Sequence, residues 1–130
     1  MLSIARNQFY EIAYSAEKNR LYFRIDGYWK SPEVVPSYIS DWKKALELTK
    51  PSFTLLADFR NMVTHPSSVK FLHQEVAEGL AKSGISNLAE VSPSDKIAVL
   101  QTGSVTKDAK ISHIKVTDIV LGEHILDRLS

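Results

Sequence analysis

Asp58, His65 and Ser67 put a carboxylate, an imidazole and a hydroxyl within ten consecutive residues. Those are the types of an acid–base–nucleophile set. The surrounding pattern argues against that chemistry, because no Gly-x-Ser-x-Gly elbow and no oxyanion-hole motif accompanies them. A triad is also defined by geometry, not by proximity in sequence. The same stretch offers a second chemistry. Pro66-Ser67-Ser68 stands where a helical pattern begins, and a helix N-terminus favours a phosphate through its dipole and free N–H groups. The ordinary reading of Ser67 and Ser68 is capping of that helix. Asp58 either contacts a ligand or accepts N–H bonds from the loop after it, the commoner use of such an Asp. With Arg60, Asn61 and Thr64 these residues form the candidate interaction or phosphoacceptor loop, and no residue is assigned a catalytic role.

Other chemistries find less support. His65, His73, His113 and His124 are scattered, none in the one-turn His-Glu-x-x-His pair of a zinc site. They are expected at the surface, His113 at a sheet edge or exposed, and no metal or cofactor is expected. The glycines are isolated, without the loop that cradles a nucleotide phosphate. Trp42 lies on an apolar helical stripe and is expected in the core. Trp29, just past Gly27, either packs over the hairpin end or offers an aromatic contact to a partner or apolar ligand.

The elements that must carry these residues follow from periodicity. Tyr10, Ile12 and Tyr14 alternate with polar or small neighbours, and Leu21, Phe23 and Ile25 do the same. This predicts two strands joined as an antiparallel hairpin. Ser31-Pro32-Glu33 reads as a helix start. The stripe Val35, Tyr38, Ile39, Trp42, Ala45 and Leu46 extends it to Lys50-Pro51, with Pro36 inside the first turn. Phe53 to Ala57 lacks alternation, as a strand buried on both faces would. Asp58 then marks its end, and a polar loop follows to Ser68. Val69, Leu72, Val76 and Leu80 give the next helix, with Gly84 at its C-terminal cap. Leu88 to Val91 is a short strand, and Ser92-Pro93-Ser94-Asp95 opens a helix with Ile97, Leu100 and Val105. Ile111 to Val116 is the last strand; Thr117-Asp118 caps a helix carrying Leu121, Ile125 and Leu129. The predicted order β-β-α-β-α-β-α-β-α argues for an α/β fold with a mixed, mostly parallel sheet and right-handed crossovers.

Composition bounds the rest. The chain has 130 residues, the size of one domain. Sixteen basic against fifteen acidic side chains leave a net charge of +1, no electrostatic footprint for nucleic acid. The absence of cysteine excludes disulfides and thiolate chemistry within the chain. No apolar run reaches the roughly 18 residues of a membrane helix. The first residues lack the apolar core of a signal peptide. A cytoplasmic location without membrane insertion is therefore expected. An edge strand, either the first of the hairpin or Ile111 to Val116, is a candidate for homodimer pairing.

Asp58-Phe59-Arg60 followed by Pro66-Ser67-Ser68-Val69 resembles the hallmark of the sulfate-transporter and anti-sigma-factor-antagonist (STAS) superfamily, also called SpoIIAA-like. There a central strand ends in Asp, and Asp-Ser-Ser-Gly opens the next helix. Ser67 and Ser68 align with the family serines, so Ser68 inherits the candidacy for phosphorylation. Pro66 stands in place of the acid and Val69 in place of the glycine. The tail, Val116-Thr117-Asp118 and Gly122-Glu123-His124-Ile125-Leu126, looks more like uncharacterised bacterial SpoIIAA-like proteins than a true antagonist. The resemblance implies a single STAS-like domain over residues 1–130. Its expected role is non-enzymatic contact with a regulatory protein partner, through the Arg60–Ser68 loop and the helix face carrying Lys70, Gln74, Glu78 and Lys82. Some SpoIIAA-like relatives resemble lipid-binding folds, which implies an alternative: a small-molecule or lipid carrier with Tyr28, Trp29 and Met62 lining an apolar pocket.

Overall fold

A computed structural model describes residues 1–129. A six-stranded sheet runs in chain order from β1 to β6. Its strands are β1 (Leu2–Arg6), β2 (Tyr10–Ser15), β3 (Arg20–Gly27), β4 (Thr54–Met62), β5 (Asn87–Val91) and β6 (His113–Val116). The helices are α1 (Tyr38–Leu48), α2 (Ser67–Lys82), α3 (Lys96–Asp108) and α4 (Ile119–Leu129). β1, β2 and β3 pair antiparallel, while β3, β4, β5 and β6 pair parallel. The sheet is thus mixed, but "mostly parallel" describes only its C-terminal half.

Four expectations need correction. Leu2–Arg6 forms a strand that its weak alternation concealed, so the order begins β-β-β and the expected hairpin strand Tyr10–Ser15 is interior. The edges open to pairing are β1 and β6. The long helix predicted from Ser31 is two pieces: Ser31 and Pro32 open a short 3-10 turn, Pro32–Val34, and α1 begins only after Ser37. Pro36 separates them, since it cannot donate to a continuous helix. β4 runs five residues past Ala57, so Asp58 lies within a strand and the true loop is only residues 63–66. α4 buries Gly122 and Leu126, leaving Leu121 and Leu129 exposed.

Strand parity divides the core. Phe23, Leu55, Ala57, Phe59 and Leu88 face α1, α2 and α3 in the larger cluster. Leu56 and Ala89 face α4 with Leu126 in a smaller one. Gly122 lets α4 come close: a Cβ there would lie 2.6 Å from Leu56 Cδ1 and 3.2 Å from Val116 Cγ2. Beside it, buried Arg20 donates to Thr54, Glu123 and Asp127, and Tyr22 donates to Glu123. On the larger side, Tyr10, Phe23, Trp29, Tyr38, Trp42 and Phe59 meet in tilted and edge-on pairs, each worth about 0.5–1.5 kcal/mol beyond its buried area. Gly84 adopts the left-handed φ of +89° that ends α2, as a C-terminal cap requires. Among the described residues, no helix is long and apolar enough to cross a membrane.

Candidate functional site

The C-terminal edge of the parallel strands gathers every candidate of the Asp58–Ser68 segment, but divides them between two layers. Asp58 shares the α4 face with Leu56 and Thr54, and its carboxylate accepts two bonds from the Arg60 guanidinium, at 2.9 and 2.7 Å. Burial pushes this carboxyl up, but the Arg60 bonds and charge outweigh it and hold Asp58 below its usual range. Asp58 also accepts the Arg60 backbone N–H, the local turn chemistry expected of it. Asn61 is exposed and Met62 is buried.

The rest of the segment belongs to the α2/α3 layer. One Asp95 oxygen takes the Thr64 N–H and hydroxyl, both at 2.9 Å, while the other caps α3 through Ile97 N and Ala98 N. Gln101 closes a second clasp, its amide oxygen accepting from His65 N and its amide nitrogen donating to His65 O. The loop is therefore pinned to α3 at two successive residues.

His65 and His73 are not surface residues, contrary to expectation. His65 is buried and stacks on the fully buried Trp29. Half-buried His73 turns its ring inward toward His65 and Tyr38. Its position between Val69 and Val76, beside the apolar row of α2, was the sequence signal for this. A directed chain links the rings: Tyr38 Oη to His73 Nδ1 at 3.0 Å, His73 Nε2 to His65 Nδ1 at 2.9 Å, and His65 Nε2 to Gly27 O at 3.1 Å. A carbonyl only accepts, so His65 Nε2 carries the proton and its Nδ1 accepts from His73 Nε2–H. His73 Nδ1 then accepts from the Tyr38 hydroxyl. Every donor is used once with both rings neutral. Burial, and after it the other ring, push His73 down to about 3; burial also pushes His65 down against the pull of Gly27 O.

This chain removes the acid–base–nucleophile reading. Both His65 nitrogens are committed away from Ser67, and Asp58 holds Arg60 on the opposite sheet face. Ser67 and Ser68 are exposed and neither caps α2: the capping position is Pro66, with no side-chain bond. On α2, Lys70 and Gln74 are half-buried, so the outward ridge is Phe71, Glu75, Glu78 and Lys82. His113 sits on edge strand β6, as expected.

Four large apolar side chains stand in solvent around the pinned loop: Val63 at 44%, Phe71 at 68%, Ile97 at 60% and Leu100 at 71% exposure. Ile97 and Leu100, which marked this helix in the sequence, lie outward, and α3 instead buries Ala98 and Thr106. Tyr28, Trp29 and Met62 do not share a pocket. Tyr28 is exposed, Trp29 is sealed with its Nε1 donating to Phe9 O and Asp26 O, and only Met62 lines a cavity. That cavity measures about 70 Å³, well short of the ~300 Å³ at which drug-sized pockets begin.

No protein-family model and no curated protein matches the sequence. Among solved structures the chain is similar to an uncharacterised protein of the DUF3478 family, with a SpoIIAA-like fold, from Shewanella loihica PV-4. The TM-score is 0.67 at 10% sequence identity, covering 94% of this chain and 97% of that one. The fold is thus SpoIIAA-like, as the Asp58 and Ser67-Ser68 spacing implied.

Proposed function

We propose that this chain is a non-enzymatic, STAS-like binding domain that docks a regulatory protein on its α2/α3 edge. The observation that carries the reading is the exposure of Val63, Phe71, Ile97 and Leu100. Their neighbours in sequence are bonded to one another. Thr64 holds Asp95, which places Val63 beside the start of α3, and His65 holds Gln101, which places Leu100 against the same loop. Phe71 rises one turn after Ser67 on α2. Exposed apolar groups gathered on a pinned loop suit protein contact, since monomers rarely leave such patches uncovered. Ser67 and Ser68 flank the patch at a helix N-terminus, where an added phosphate gains from the dipole and alters the charge of the contact.

The test is quantitative affinity capture from the cell of origin, comparing the wild-type chain with Leu100→Glu, Phe71→Glu and Ser68→Asp. Val120→Glu, on an equally exposed position of α4, is the control. The expected result is one partner retained by wild type and Val120→Glu but lost about tenfold or more with Leu100→Glu or Phe71→Glu, the loss typical of a hot-spot residue. A partner set that none of the α2/α3 substitutions changes overturns the proposal.

A further inference from the structure

The β1 edge of the sheet carries a second concave surface, a groove of about 480 Å³. That volume lies within the ~300–1,000 Å³ of ligand clefts. Two local features open it. β1 departs from regular pairing between Ser3 and Ala5, so Ile4 has no partner on β2, and both Ile4 and Ala5 lean on the larger core. A bulge of this kind re-aims side chains at a sheet edge. Across from it, Pro36 parts the short 3-10 turn from α1, and residues 34–37 form the opposite rim. Ile4, Phe9, Val34 and Val35 make the walls apolar.

Asp41 gives the groove its one carboxylate. Buried Tyr10 donates its hydroxyl to Asp41 Oδ2 at 2.6 Å, and both residues line the groove. That bond holds the half-buried carboxylate in place through one oxygen, and among the described residues Asp41 forms no ion pair. Arg6 also borders the groove, but its guanidinium turns to Glu11, at 3.7 Å. Glu11 alternates with Ile12 of the larger core and takes Arg24 as well, so it stands on the other face of the sheet. Asp41 is thus a fixed negative charge without a cation.

β1 supplies the other half of the recognition. Its inner side pairs with β2, and among the described residues no strand pairs with its outer side. An extended peptide added there bonds its main chain to β1 and drops alternate side chains into the groove. Lysine matches what it meets: the apolar walls take its stem, and an ammonium is a compact charge that one carboxylate oxygen satisfies. The arginine fork wants two oxygens, and one already holds the Tyr10 hydroxyl. A second copy of the chain fits poorly. β1 has no lysine, and antiparallel pairing of two β1 strands about Ile4 sets the second copy's Arg6 opposite Leu2. Tyr10, which holds Asp41, lies at the other end, across from Asn7.

We propose that this groove is a docking site for an extended segment of another protein, which adds to β1 as a strand and sets one lysine ammonium against Asp41. The main-chain bonds supply affinity and the Asp41 pair supplies the sequence preference. The groove shares no residue with the α2/α3 patch, so the two contacts stand or fall independently.

The test pans a random heptapeptide library over the whole chain and over Asp41→Asn, a change that keeps an acceptor for the Tyr10 hydroxyl. Lysine is expected to be enriched at one position by the wild-type chain and not by the variant. The leading peptide, with blocked ends, is then titrated into the ¹⁵N-labelled chain. Saturable amide shifts are expected at residues 2–7 and 37–41, with a Kd on the order of 0.1 mM. Asp41→Asn, or norleucine in place of the peptide lysine, is expected to weaken binding about fivefold, and both together no further than either alone. The norleucine arm needs no variant, so it decides the matter even if Asp41→Asn fails to fold. N-methylation of alternate peptide nitrogens on the side that faces β1 is expected to abolish binding, and n-butylamine alone to bind at least about tenfold more weakly. The proposal is overturned by the absence of a lysine preference, by shifts confined to α2 and α3, or by equal affinity for the norleucine peptide. Undiminished binding after N-methylation, n-butylamine binding as tightly as the peptide, or a β1 edge already closed in a dimer of the chain, read by sedimentation, overturns it equally.

Discussion

Glu90 is completely buried on β5, and among the described residues neither carboxylate oxygen has a hydrogen-bond partner. His113 Nε2 lies 3.9 Å away on edge strand β6, beyond hydrogen-bonding distance. Burial pushes the Glu90 carboxyl up from its ordinary range, against weaker pulls from His113 and Lys115. The folded chain therefore holds this proton more tightly than the unfolded chain does. The Glu90 contribution to stability is highest below the unfolded value, near pH ~4.3, and falls as pH rises through the raised folded value. Above that value the fold carries an unpaired buried charge. Glu90→Gln keeps the shape and removes the charge. An unsatisfied buried polar group costs about 1–3 kcal/mol, and more when it is charged. The Gln amide stays unsatisfied, so the neutral part of that cost is common to both proteins and cancels. What remains is the charged excess: at pH 8 the variant should be more stable by at least ~1 kcal/mol, or ~3–5 °C in Tm for a domain of this size. At pH 4 both side chains are neutral and the two proteins should coincide. Urea unfolding at both pH values, read as midpoints at unchanged m, measures the difference. A variant no more stable than wild type at pH 8, or an advantage that persists undiminished at pH 4, refutes the argument.

Two further substitutions probe the two sides of the sheet. His73, pushed down to about 3, opposes protonation of the fold. Its contribution is full above the ordinary imidazole value, about 6.5, and is lost as pH falls toward 3. His73→Gln is therefore expected to lose less stability than wild type between pH 7 and pH 4, measured as the difference between paired unfolding curves; equal losses would contradict the neutral relay. Gly122→Ala gains about 1 kcal/mol of helix propensity. It also places a Cβ 2.6 Å from Leu56 Cδ1, an overpacking worth about 1–3 kcal/mol. A lower urea midpoint is expected, and a stabilised variant would mean that α4 has room to shift.

Periodicity located most elements because apolar spacing directly reports which face is buried. Tyr10–Ser15 and Arg20–Gly27 were legible as a hairpin, and Val69, Val76 and Leu80 as the inner row of α2. β1 was not, since its residues are exposed or half-exposed and its side chains alternate little. The end of β4 was obscured because Asp58 and Asn61 look like a loop yet pair as strand, Asp58 with both β3 and β5 and Asn61 with β3. At the site, the Ser67-Ser68 spacing carried the fold but not the wiring. Asp95 and Gln101 lie 31 and 36 residues from the loop residues they hold, and Tyr38 lies 35 from His73. Such long-range side-chain pairs leave no local signature. Glu90 did leave one: a carboxylate inside Leu88-Ala89-Glu90-Val91, in a strand paired on both sides, has nowhere exposed to point.

The two faces of the sheet are held by different physics, and this bears on where binding belongs. α4 is fixed twice over, by the close approach at Gly122 and by Arg20 with Lys18, Tyr22, Glu123 and Asp127. Moving α4 would strand a buried guanidinium, which is strongly unfavourable. α3 is held by the Asp95 cap and the Gln101 clasp at its first half, buries two side chains, and leaves Ile97 and Leu100 in water above an unfilled cavity. Regions with few buried apolar contacts open at lower free energy than the rest of a fold. α3 is therefore the element that can yield without unfolding the sheet, and it borders the exposed patch. A partner seated on Leu100 would bear on that helix, so its binding is expected to raise the free energy at which α3 opens, read as slower amide exchange along α3.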